Sequence, residues 1–434
     1  MKKKKKYNIF MGMVEISGYY GNLQKGFKEI GLKVDFYPLN SHIFQYDYKK
    51  PNNIYYYFVK FLIDKNNHCW RRLKIGNSIH EKYFKRLYDR LYDRFFKSCI
   101  NRYDVFIFSY STSFYPDYRD LEILKANGKM VIHFFHGSDS RPPYMNGAIM
   151  SRENGLTIDN CYELTKEMVA KIAKIETYAD YIISGPGSGQ FFSKPYINSF
   201  NIGIPFDMEP LNRLDIPKKG PIKILHSPSN PEAKGTLEIQ RVINKLKSEG
   251  FELELEIIEG KPNKVVLETI KNSHLIIDQI YTDTPVAGFA VESIANGTPV
   301  IVCGYFSQWY NENTQGRNLP PALFVHPDDF EKTLKQMLEF PDEYYKILDQ
   351  TRDYLKIQWS RKAVASKFQK LFDNTPHEKW IIQPNDVDYI EGLGMSRPRL
   401  KDVMVQIREK YGDQGFMLDK NRTKKIIDLI SSRP

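Results

Sequence analysis

Over roughly the first 205 residues, apolar runs and amphipathic stretches alternate with the periods of strand and helix. YNIFMGM (7–13) predicts a buried strand, ISGYYG a turn, NLQKGFKEI a helix closed by Gly31, and KVDFY a second strand. DVFIFSY and KMVIHFF are short, apolar and bounded by turn residues, which predicts further parallel strands. YADYIISGPGSG adds another, and NIGIPFD closes this half. Residues 208–220 (MEPLNRLDIPKKG) are polar, carry proline and lack periodicity, as a linker should. A second alternation follows, from the strand IKILHSP and the helix KGTLEIQRVINKLKSEG to the strand TPVIVCG.

The pattern predicts an α/β fold with domains at 1–207 and 221–345. A helical segment at 346–375 should cross back to the first domain, and a helical tail at 376–434 has no assignable chemistry. Two long helices stand outside the alternation. Residues 342–372 read as one helical stretch. Residues 82–100 place Tyr83, Phe84, Leu87, Tyr88, Leu91, Tyr92, Phe95 and Phe96 on one face, with Lys85, Arg86, Arg90, Arg94 and Lys97 opposite. That face suits either a packed core or an anionic membrane and lipid-linked substrate.

Charge and cysteine content narrow the partners. The 434 residues carry a formal charge of +11, of which the lysines at 2–6 supply five, leaving six for the rest. So thin a surplus argues against nucleic acid and suits a phosphate-bearing ligand or a membrane surface. Cys69, Cys99, Cys161 and Cys303 form no paired spacing, which argues against zinc sites and disulfides and for a reducing compartment. The N-terminus imitates a secretory signal, but its apolar part is short, contains Glu15 and precedes no cleavage pattern. No apolar run approaches the roughly 20 residues that span a bilayer. A cytoplasmic protein is expected, peripheral on the inner membrane face if the basic residues bind there. Gly12, Gly18 and Gly21 follow the first strand without forming GxGxxG.

Residues 223–304 carry HSPSNPEAKGT, IIEG, LIIDQI and VAGFAVESIANGTPVIV in that order. This series resembles the C-terminal half of glycosyltransferases of GT-B architecture, most closely the retaining family 4. SGYYGNLQKGFKEIGLKVDF and HFFHGSDSR resemble the acceptor-side domain more weakly. The resemblance covers about residues 7–375. It implies two facing Rossmann-like domains, a nucleotide-sugar donor, a saccharide or lipid-linked glycan acceptor, and no metal or other cofactor. Surface polysaccharide or glycoconjugate synthesis is the implied setting.

Physical chemistry gives these positions roles beside simpler readings. Glu292 lies in a helix ended by Asn296-Gly297, where a carboxylate could accept ribose hydroxyls or merely offset the helix dipole. The amides of Ala287, Gly288 and Phe289 would meet a diphosphate. Lys234, at a helix entry, could stabilise charge on a departing diphosphate or remain solvated. The resemblance adds Ser229 to the donor site, and Glu259, Gly260 and Lys261 to the nucleobase contacts. Gly18 could let the backbone approach the donor or only serve its turn. His136 and Asp139 follow a parallel strand's carboxyl end, with Arg141 close behind. They could contact sugar or acceptor, or satisfy turn amides. In an inverting enzyme, Asp139 or His136 would be the first candidates for a base.

The chain also departs from the family. Thr284 stands where family 4 carries its first glutamate, leaving Asp283 as a shifted replacement for the sugar contact. SPSNPEA lacks the usual basic partner of the lysine, and Ala287 replaces the phosphate-turn glycine. The expectation is a retaining glycosyltransferase, with a non-catalytic GT-B partner subunit as the alternative. The sole D-x-D string, Asp386-Val387-Asp388, falls in the tail and does not suggest a metal-dependent transferase.

Overall fold

The computed structural model describes residues 7–39, 48–72, 79–211 and 213–432, and the side chains of these outside 65–84. The lysines at 2–6 and the side chains of Tyr83 and Phe84 lie outside what it describes. The chain begins β1 (Asn8–Gly12), α1 (Tyr19–Glu29), β2 (Lys33–Phe36), α2 (Ile54–Arg72) and α3 (Ile79–Arg102). It continues through β3 (Val105–Ser109), α4 (Arg119–Ala126), β4 (Met130–Phe134), α5 (Ile158–Tyr178) and β5 (Tyr181–Ser184). Next come β6 (Tyr196–Asn198), α6 (Ser199–Ile202), β7 (Ile222–His226), α7 (Pro231–Lys234) and α8 (Thr236–Ser248). Then follow β8 (Leu253–Ile257), α9 (Asn263–Lys271), β9 (Leu275–Ile277), α10 (Gly288–Asn296) and β10 (Val300–Cys303). The remainder is α11 (Ser307–Arg317), β11 (Phe324–Val325), α12 (Phe330–Glu339), α13 (Pro341–Gln358) and α14 (Arg361–Phe372). It ends with β12 (Ile381–Ile382), α15 (Arg397–Tyr411) and α16 (Lys420–Ser431).

These elements form two compact units. The first contains Met1–Phe134, Lys174–Ile182 and Arg361–Thr375, and the second Phe135–Ala173, Ile183–Ser360 and Pro376–Pro434. In the first, β2, β1, β3 and β4 lie side by side and parallel. Ile9 sits between Val34 and Val105 in register. Strands β1, β3 and β4 are buried on both faces, which is why they read as nearly continuous apolar runs, while the edge strand β2 alternates. Phe10, Phe27, Phe36, Phe95, Phe106, Phe108 and Phe114 fill the core, and Phe10 stacks on Tyr37 at 5.0 Å. Tyr103 closes one edge by donating to Asp35 at 2.7 Å.

Helix α3 settles the two readings of the aromatic face. Tyr92, Phe95 and Phe96 are buried, with Phe96 4.7 Å from Phe114. That part of the face is core and not a membrane surface. Leu87 is exposed, as are Lys85, Arg86, Arg90, Arg94 and Lys97. No helix among the described residues is long and apolar enough to cross a membrane.

The second unit holds a parallel five-stranded sheet in the order β11-β10-β9-β7-β8. Ile224, Ile239, Leu246, Leu275, Ile277, Ile301 and Leu334 form its core. The end of β5 pairs parallel with β6, and β12 adds antiparallel to β6. The fold class is thus α/β with two parallel sheets, as the alternation predicts. The tail is not an isolated appendage. Leu400, Met404, Phe416 and Ile426 share a second core with Tyr144, Met145 and Cys161.

The helical stretch at 342–372 is divided into two helices, α13 and α14. Ser360 forms a parallel bridge with Phe206, which draws the backbone out of helical geometry between α13 and α14. Helix α14 then packs on α1, where a β-carbon at Gly26 would lie 2.2 Å from the Arg361 carbonyl oxygen. Overpacking such a contact costs about 1–3 kcal/mol. Gly26→Ala is therefore expected to lower unfolding stability by about that amount in urea titration. An unchanged midpoint would contradict the close packing.

Candidate functional site

In the second unit the chain leaves β7 for β8 on one side and returns through β9 on the other. The carboxyl ends of β7 and β9 therefore flank the switch point at which parallel sheets bind ligands. After β7, the Asn230 side chain caps α7 by accepting from the Ala233 amide at 2.9 Å, and Pro231 takes the first helical position. Gly235 joins α7 to α8 at φ 76°, and a β-carbon there would lie 2.8 Å from that of Ile280. Only glycine meets both conditions. This turn brings the Lys234 ammonium to 3.2 Å from Asp278 Oδ1.

Asp278 follows β9 directly and is fully buried, while Lys234 keeps 20% of its side-chain surface exposed. An ionised carboxylate without water requires such a partner. Behind the pair, His226 bridges the Ile277 carbonyl and the Thr236 hydroxyl, each at 2.9 Å. Burial pulls its pKa below the usual imidazole value. Asp278 belongs to LIIDQI yet received no role from the sequence. A carboxylate directly after a three-residue apolar strand was the available signal.

Glu292, on the second turn of α10, is half-buried and accepts from the Asn263 side chain at 2.8 Å. Burial raises its pKa, the Asn263 bond opposes that rise, and the negative charge of Asp278 adds to it. Lys234, Asp278 and Glu292 therefore form one electrostatic group. Ala287 caps α10 in extended geometry without a side-chain bond, and the first turn has no acidic residue. Its leading amides, including Gly288 and Phe289, have no intrahelical acceptor. A β-carbon at Gly288 would meet nothing within 4 Å. Ser229, Glu259, Gly260 and Lys261 are exposed on the loops after β7 and β8. A bond from Ser227 to the Ile258 carbonyl, at 3.0 Å, ties those loops together.

The HGSDSR turn also belongs to the second unit. Asp139 is buried and accepts from the His136 amide at 2.7 Å, the turn-satisfying role weighed for it. Burial takes the His136 imidazole down to about 3, so it is neutral at physiological pH. Arg141 donates through Nε to Asp283 Oδ2 at 2.9 Å, and its Nη2 contacts the same oxygen. Their side chains are 2% and 3% exposed. The structure thus joins Arg141 and Asp283 as a buried ion pair, with the Thr284 hydroxyl donating to the other Asp283 oxygen at 3.1 Å.

Gly18 lies in the first unit and caps α1 in left-handed geometry. The amides of Ile16, Tyr20 and Gly21 donate to the buried Glu15 carboxylate at 2.8, 3.1 and 3.0 Å. The positive end of α1 is therefore already occupied by a carboxyl group from its own chain. Burial outweighs these amides and pushes the Glu15 pKa up to about 7.

No protein-family model matches the chain, and no curated protein matches it in sequence. Among solved structures, it is similar to the glycotransferase of kitacinnamycin at 12% identity and a TM-score of 0.40, covering 86% of this chain and 100% of that one. It is similar to Anabaena Alr3699/HepE in complex with UDP and glucose at 10% identity and a TM-score of 0.46, covering 85% and 100%. An alpha-glucosyltransferase in complex with UDP and a mismatched 13-mer DNA is similar at 14% identity and a TM-score of 0.44, covering 85% and 98%. These are likenesses of fold.

Two outcomes follow from the charges. Removing one partner of a buried ion pair typically costs about 3–5 kcal/mol, so Arg141→Met should destabilise the protein by that order in chemical denaturation. Glu15 has its folded pKa raised to about 7 from the ordinary 4.5. Its contribution to stability is fully present below the unfolded value and is lost as pH rises through about 7. Glu15→Gln should flatten that part of the stability–pH curve, and an unchanged slope would contradict the assignment.

Proposed function

We propose that the protein is a GT-B glycosyltransferase that moves a sugar from a nucleotide-sugar donor to a saccharide or lipid-linked glycan. The observation that carries this reading is Lys234, fixed by buried Asp278 beside Glu292 at the sheet's switch point. In this reading the Lys234 ammonium meets the diphosphate and stabilises negative charge as the glycosidic bond breaks. The first-turn amides of α10 bind the same anion. Glu292 accepts the ribose hydroxyls, and the loops bearing Ser229 and Glu259 to Lys261 border the base. His136 serves the sugar or acceptor, and Asp139 holds its turn by accepting from the His136 amide.

Retention, as in family 4, lets the departing phosphate take the acceptor proton, so no separate base or metal is invoked. The setting is surface polysaccharide or glycoconjugate synthesis. The exposed Lys85, Arg86, Arg90, Arg94 and Lys97, with the lysines at 2–6, suit peripheral binding to an anionic membrane. Co-sedimentation with anionic vesicles should fall when these residues are neutralised.

A second reading, a non-catalytic partner subunit, draws support from Asp283. Its carboxylate is engaged by Arg141, and position 284 holds threonine. One experiment separates the two. UDP, GDP and ADP are screened by thermal shift, and nucleotide release is then measured with the matching sugar donors. At least one diphosphate should stabilise the wild type, and Lys234→Ala should weaken it about tenfold, equivalent to ~1.4 kcal/mol. Glu292→Ala should weaken the nucleotide in the same direction. Stabilisation by none of the diphosphates would overturn the transferase reading, while binding without release would favour the partner subunit.

A further inference from the structure

The tail received no chemistry from its sequence, yet its residues 390–399 touch both sides of the Lys234–Asp278 pair. On the lysine side, α7 is only four residues long and supplies little rigidity of its own. Arg399 forms an ion pair with Glu232 of α7 and also donates to the Met150 carbonyl. The other Glu232 oxygen accepts from the Arg152 amide at 2.9 Å. The next residue, Ala233, meets Gly394, where an added β-carbon would lie 3.0 Å from that of Ala233. On the aspartate side, the Gly394 amide donates to the Tyr281 carbonyl at 2.6 Å, three residues beyond Asp278.

The segment is held from outside as well. Leu393 donates to the Met145 carbonyl at 3.0 Å and accepts from the Gly147 amide at 2.7 Å. A β-carbon on Gly147 would lie 1.8 Å from the Gly394 carbonyl oxygen. The Arg397 amide donates to the Tyr305 hydroxyl at 3.0 Å, and its guanidinium lies 4.8 Å from that ring's centre. Glu391 accepts from Arg397 Nε at 2.9 Å. Gly394 itself adopts φ +75°, which side-chain-bearing residues rarely take.

We propose that Gly394 and Arg399 are positioning residues, through which the tail braces α7 and holds the Lys234 ammonium where a diphosphate binds. The bracing rests on the contacts above, and its effect on ligand rests on the reading of Lys234 under Proposed function. The tail adds no group to the bound nucleotide in this arrangement. It restricts the lysine by fixing the short helix on one side and the Asp278 loop on the other, a form of pre-organisation.

The test uses the full chain with UDP, GDP and ADP, each against its monophosphate. Arg399→Gln should raise the Kd of the bound diphosphate about five- to tenfold while leaving the monophosphate within twofold. Gly394→Val should do so more strongly. Lys410→Gln, which removes a different tail ion pair with Asp159, should leave the ratio unchanged. Exchanging the charges, Glu232→Arg with Arg399→Glu, should restore it in part. Hydrogen exchange over residues 231–238 gives a readout independent of nucleotide and should quicken in Arg399→Gln. Wild-type exchange in that variant, or an equal loss in Lys410→Gln, would overturn the bracing. A wild type that binds no diphosphate but shows the exchange effect would overturn the reading of Lys234 and leave the bracing supported.

Discussion

A carboxylate sealed from water at the carboxyl end of the central strand of a parallel sheet is the constraint around which this part of the second unit is arranged. Asp278 has no exposed surface, so it requires a cation and hydrogen-bond donors within reach. Lys234 supplies the cation, and the Gln279 side-chain amide lies 3.3 Å from the second oxygen. Bringing the lysine there requires a turn that enters α8 from above β9. That accounts for the short α7, the left-handed Gly235 and the bond from the Ile280 amide to the Lys234 carbonyl at 3.1 Å. The strand order puts β7 and β9 side by side, which makes the arrangement possible at all.

Helices α1 and α10, one from each unit, differ at their N-termini. In the first, the Glu15 carboxyl folds back onto the leading amides of α1 and occupies them internally. In the second, α10 begins with alanine and glycine and has no acid in its first turn. Arg141 contributes little to that contrast, because Asp283 offsets its charge inside the protein.

Much of this was legible in the chain, for identifiable reasons. Parallel strands covered on both faces are apolar throughout, so VFIFS, MVIHF and VIVC stand out without help from neighbours. Lys234 and Glu292 drew attention through the resemblance of residues 223–304, since a lysine at a helix entry or a glutamate in a helix has a bland reading by itself. The break at Ser360 could not be read, since its cause is a bridge to Phe206, far away in sequence. Arg141 and Asp283 were each noticed singly, but their union spans 142 positions and leaves no local trace. The aromatic period of α3 is the same for a core face and a membrane face. Only packing against Phe114 and its neighbours decides between them. Asp278 lacked any periodic signature, being one acidic residue at the end of a strand.

The discontinuity of the two units has a consequence for how the protein comes into being. Domains generally fold as their chains emerge from the ribosome. Here neither unit can close when its first segments appear. The first waits for α14, and the second waits for residues beyond Pro376. The strands at the switch point are made long before Gly394 and Arg399, which contact α7 and the Tyr281 carbonyl from the later part of the chain. A chain that has emerged only as far as β11 would therefore carry the sheet's strands without the contacts that Gly394 and Arg399 make to α7.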